Sequence, residues 1–166
     1  SNTIIKNASV GIVMDSIGSD AFPTLTIKNT QIYNSSNFGI LGREANIKGE
    51  NLVIHNSGQS SLACIIGGTY NFTHSTFTNF WNHSLRQYPS VLINNFFTYT
   101  ENNVQVVETR DLLEANFTNC IIDGSTNIEL AIEKVENGTF NYSFKNNLIK
   151  FNDINNTFNG IPEYDF

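Results

Sequence analysis

The chain has 166 residues, a net charge of −6, 40% apolar residues and only 14% charged ones. That length suits one domain with a sizeable core, and the apolar content excludes a disordered chain. The negative balance argues against nucleic acid, which selects basic faces, and no run of 18 apolar residues is present to span a membrane.

The chain opens at Thr3-Ile4-Ile5-Lys6-Asn7 with no secretory leader in view. Ser1-Asn2 reads as the start of an excised region. A short apolar segment follows at Gly11-Ile12-Val13. Leu25-Thr26-Ile27-Lys28-Asn29 then begins a phrase that returns along most of the chain. It recurs as Ala45-Asn46-Ile47-Lys48-Gly49, Tyr70-Asn71-Phe72-Thr73-His74, Ala115-Asn116-Phe117-Thr118-Asn119 and Phe140-Asn141-Tyr142-Ser143-Phe144. The central residues are 20, 25, 45 and 25 positions apart, so 45 reads as two periods. Period-two alternation repeated every 20 to 30 residues predicts a solenoid of short strands.

Two other phrases keep step. One is Ile5-Lys6-Asn7, Ile32-Tyr33-Asn34, Ile54-His55-Asn56 and Phe77-Thr78-Asn79. The other is Gly11-Ile12-Val13, Gly39-Ile40-Leu41 and Ala63-Cys64-Ile65-Ile66. Turn formers such as Asn34-Ser35-Ser36-Asn37 and Asn56-Ser57-Gly58-Gln59 separate the two. Three strands per period and no helical stretch predict an all-β, right-handed parallel β-helix of about six to seven coils. Ile27, Ile32, Ile47, Ile54, Phe72, Phe77, Phe117 and Ile122 are expected inside, each stacked on its equivalent. Lys6, Lys28, Tyr33, Lys48, His55, Thr73 and Thr78 are expected outside. Asn34, Asn56 and Asn79 are expected at a corner, bonding their amides in a ladder.

The rhythm breaks between Phe80 and Glu114. Residues 81–100 read as an irregular excursion within a single domain spanning 1–166, with returning strands at Ser90–Asn95 and Val104–Val107. This span holds either an extra coil or one long excursion. Ile128–Val135 resumes the alternation, and the turn-rich tail from Asn152 ends weakly at Tyr164-Asp165-Phe166. Cys64 and Cys120 sit in apolar settings on different turns, which suits two buried thiols rather than a disulfide.

Phrases such as Pro23–Asn29, Gly67–His74 and Ala115–Gly124 resemble right-handed β-helix repeat proteins, found as surface lipoproteins or secreted proteins in Bacteroidetes-type bacteria. The resemblance covers nearly the whole chain. It implies an exported, cell-surface location, and a polysaccharide or another surface protein as partner. It also implies more coil before Ser1 and a further segment after Phe166, hence open strand edges and end-to-end association or contact with the rest of a parent protein.

Some β-helix proteins are polysaccharide lyases or hydrolases that use paired carboxylates or carboxylate-bound calcium. Here the acids are scattered. Asp15, Asp20, Glu44 and Glu50 fall near turns, and Glu129 and Glu133 share one strand face about 13 Å apart. His55, His74 and His83 are isolated, with no metal-ligand spacing and no phosphate loop, so no metal, cofactor or catalytic residue is assigned. Eight Asn-x-Ser/Thr triplets are what so Asn-rich a chain produces by chance. The better candidate is the outward row Lys6, Tyr33, His55 and Thr78, on which an elongated glycan would lie, with Trp81, Arg86 and Tyr88 as its rim. The reading is a non-catalytic binding or structural module. The alternative is a carbohydrate-active lyase or hydrolase acting on an acidic, plant or algal polysaccharide.

Overall fold

The computed structural model describes residues 2–16, 18 and 22–165. The expectations placed on Ser1, Asp20 and Phe166 lie outside the described residues. The fold is a parallel β-helix with three walls. One wall stacks β2 (Val10–Asp15), the start of β4 (Phe38–Ser57), the start of β5 (Leu62–Thr73), β7 (Val91–Asn94) and β12 (Leu130–Glu133). The second wall stacks the start of β3 (Leu25–Ser35), the middle of β4, the end of β5, β10 (Leu112–Thr118) and β13 (Phe140–Lys145). The third runs through β1 (Thr3–Lys6), the ends of β3 and β4, β6 (Thr76–Asn79), β11 (Ile121–Gly124) and β14 (Leu148–Ile149). Among the described residues no helix is long and apolar enough to cross a membrane.

Asparagine is abundant because the corners need it. Asn29, Asn51, His74, Asn119 and Asn146 bend the chain between the second and third walls, each with φ between 51° and 55°. Left-handed backbone is costly for most side chains, and asparagine is one of the few that adopts it readily. Asn51 Nδ2 donates to Asn29 Oδ1 at 2.7 Å, and Asn119 Nδ2 lies 3.1 Å from His74 Nε2. The amide ladder therefore runs at this corner. Asn34 and Asn56 also hold positive φ, but Asn79 turns inward instead and bonds the main chain of Ser57 and Gln59.

All eight residues expected inside are buried. Ile5, Ile32, Ile54, Phe77, Ile122 and Ile149 form one continuous row. In the second wall the register differs by two residues from the phrase alignment. Ile27 pairs with Gly49, and Ile47 pairs with Leu25 and Tyr70. A two-residue slip keeps every side chain on its own face, so the pattern alone did not detect it. The reason for the slip is room. A Cβ on Gly49 would lie 2.5 Å from Phe72 Cδ1, so glycine opens the space that the Phe72 ring fills. Phe72, Phe117 and Phe144 then stack with centroids 5.4 and 5.2 Å apart.

The described residues form five complete coils plus the opening strand, fewer than the six to seven expected. Phe72 and Phe117 are direct neighbours, so their 45-residue separation is one coil carrying two insertions. The first insertion is the loop 80–90. The second is a hairpin of β8 (Phe96–Glu101) and β9 (Val104–Thr109), which pair antiparallel outside the coil. Val104–Val107 is thus a hairpin strand, and the wall strand β7 sits between the two insertions.

Side chains replace main-chain partners wherever the coil is interrupted. Asn79 takes this role at the exit to the loop. Asn95 accepts from the Val135 N–H and donates to its carbonyl at 2.9 and 3.0 Å at the base of the hairpin. Beyond β12, the Ile132 N–H donates to Tyr164 Oη at 2.8 Å, and the same hydroxyl donates back to the Ile132 carbonyl at 3.1 Å. Tyr164 also packs on Phe151 and Phe158. That edge is covered by the tail rather than left open. Both cysteines are buried and free, and burial pushes the Cys64 thiol far above its ordinary value.

Candidate functional site

The six residues expected to bind are divided among three places. Lys6, Tyr33, His55 and Thr78 occupy one outward row in direct register, continued by Asp123. Tyr33 and His55 stack at 5.1 Å with planes 7° apart. Parallel rings at this separation stack with an offset, so each shields part of a face of the other from an axial glycan. Trp81 stands elsewhere, half-buried with its ring beside Gly58, donating from Nε1 to Ser84 Oγ at 2.8 Å and meeting His83 edge-on.

Arg86 is not a rim residue, because its side chain is buried against Glu129. Nη1 donates to Oε2 at 2.8 Å and Nη2 to Oε1 at 2.6 Å. Glu129, at 0% exposure, also accepts the N–H groups of Ser90 and Thr126 at 2.8 and 2.7 Å. A buried ion pair persists only with this degree of added hydrogen bonding. The pair fixes where loop 80–90 rejoins the coil. Glu129 and Glu133 do not share a face, since Glu133 is exposed. The turn that carries Glu129 before β12 breaks the alternation on which the shared face rested.

Tyr88 is 43% exposed and stands at a groove of about 630 Å³. The loop supplies one wall through Gln87, Tyr88 and Pro89. The edge of β12 supplies Leu130, Ala131 and Ile132, and the tail closes the far side with Phe158, Ile161 and Tyr164. Glu133, Glu136 and Glu163 also line it, and Lys134 lies 3.2 Å from Glu136. With Arg86 neutralised by Glu129, the balance of the groove is acidic. Burial pushes the Tyr164 phenol above its ordinary value, and the Glu133 and Glu163 carboxylates push the same way. The hydroxyl therefore stays protonated and keeps its bond to the Ile132 carbonyl.

Of this groove's lining, Tyr88 and Arg86 were expected to bind, and Glu133 was weighed only as half of a carboxylate pair. Phe158, Ile161 and Tyr164 lie in the turn-rich tail, where no periodicity marks them. No group of three or more His, Cys, Asp or Glu placed to hold a metal occurs among the described residues. No family model matches the chain, and neither a curated protein nor a solved structure matches it.

Proposed function

We propose that this chain is a binding module of an exported bacterial β-helix protein, and that it holds a glycan in the groove beside its last coil. The observation that carries the reading is that groove, with an apolar floor, a half-exposed tyrosine and a polar rim. Its 630 Å³ falls in the range of small-ligand sites. Tyr88 offers an apolar face to a sugar ring, while Gln87 and the carboxylates of Glu133, Glu136 and Glu163 offer partners to hydroxyls. The acidic balance selects neutral or amine-bearing sugars and disfavours uronates. Export rests on the sequence resemblance.

The test is a panel of neutral, amino and uronic oligosaccharides titrated against the protein in a calorimeter. Neutral or amino sugars are expected to bind, with uronates excluded. Tyr88→Ala is expected to weaken binding at least about tenfold, near 1.4 kcal/mol, while Tyr33→Ala leaves it unchanged. Loss through Tyr33→Ala instead would move the site to the outward row. The three carboxylates favour one second reading, a glycan-cleaving enzyme. Release of shortened sugars by wild type, lost in Glu133→Gln or Glu163→Gln, would establish it in place of the binding module.

A further inference from the structure

We infer that the chain self-associates through the free edge of β8, two copies pairing this strand antiparallel about a two-fold axis at Thr98. The hairpin forms its own sheet of only two strands outside the walls, with β8 beside β5, and a lone two-stranded sheet is marginally stable in water. Phe97 and Tyr99 lie on one face, stacked at 5.8 Å and 49% and 37% exposed. Natural edges are protected by lysine or proline. Residues 96–109 contain no lysine, arginine or proline.

The hydrogen-bond parity of the hairpin identifies what each edge offers. Asn102 and Asn103 have φ of 49° and 61°, the two-residue turn in which both central residues are left-handed. The flanking pair Glu101 and Val104 therefore exchanges both hydrogen bonds, and so do Tyr99 with Val106 and Phe97 with Glu108. Phe96, Thr98 and Thr100 turn their N–H and C=O groups away from β9. A two-fold axis at Thr98 makes that residue a bonded pair with its own copy and bonds Phe96 to Thr100. It also sets Phe97 opposite Tyr99 twice, in the non-bonded pairs where side chains approach most closely. Glu101 falls opposite Asn95, so no like charges face each other.

The β9 edge matches itself less well. A two-fold axis at Val107 sets Val106 against the carboxylate of Glu108, which is already paired with Arg110. The aromatic complementarity on the β8 side selects that edge.

Sedimentation equilibrium of the full chain, from low micromolar to millimolar concentration, tests the proposal. Wild type is expected to double in mass as concentration rises. Thr98→Pro removes an N–H that the hairpin itself does not use, and edge positions accept proline. Thr98→Lys instead places two ammonium groups opposite each other. Both variants are expected to stay monomeric with unchanged circular dichroism and thermal midpoint. Val107→Pro, on the opposite edge, is expected to dimerise like wild type. A wild type that stays monomeric overturns the proposal. So does self-association that survives both Thr98 variants, or one that only Val107→Pro abolishes.

Discussion

Coils 25–79 and the region 80–165 solve the same problem by different means. In the first region the wall strands after Leu25–Lys28 find main-chain partners in the coils above and below, and single left-handed residues turn the corners. In the second the chain leaves the coil twice, and one wall ends at β12. There Asn79, Asn95, Glu129 and Tyr164 supply the bonds that missing strands would have made. At these interruptions side chains meet backbone groups that a missing strand leaves open, as buried main-chain groups require. The candidate groove lies in the second region, in the space beside the interrupted wall.

The largest expected effect tests the regular region. Phe72→Ala removes the centre of the aromatic stack and is expected to lower stability by about 3–5 kcal/mol, read from urea unfolding. The irregular region should depend comparably on one polar pair. Glu129→Gln leaves Arg86 buried without its counter-charge, for a loss of about 3 kcal/mol. The double variant Arg86→Met/Glu129→Gln should recover part of that loss, since it removes the unpaired charge and keeps a side-chain acceptor for the Ser90 and Thr126 N–H groups. If Glu129→Gln unfolds at the wild-type midpoint, the pair does not hold the loop.

Asn79→Ala should cost about 1–3 kcal/mol, because the Ser57 N–H and carbonyl lose their partners in a buried setting. Protection of the Ser57 amide in hydrogen exchange should fall more than that of amides in β10.

The smallest effect belongs to the exposed pair Asp15–Arg43. Its hydrogen bond to Arg43 holds the Asp15 carboxyl below its ordinary value of 3.8. The contribution is therefore fully present above that value and lost as pH falls through the lowered folded one. Solvent screening keeps it small. Asp15→Asn should be slightly less stable than wild type at neutral pH, and the gap should close in acid. A gap that widens on acidification would contradict the assignment.

How much was legible follows the same division. Period-two alternation with a 20 to 30-residue repeat revealed the walls, the inner row Ile32–Ile54–Phe77–Ile122 and the outer row Lys6–Tyr33–His55–Thr78. The second-wall register stayed hidden because a two-residue slip leaves the facing pattern unchanged. Glu129 read as sharing a strand face with Glu133, since only its neighbours in space make it an internal counter-charge.

The sequence by itself determined the solenoid, its inward faces and the demand for asparagine, because these depend on residues one or a few positions apart. Tertiary structure alone decided the number of coils, the fate of Arg86 and the groove beside Tyr88. Each of these depends on which distant segments fill space left by an interrupted strand, and local periodicity carries no record of that.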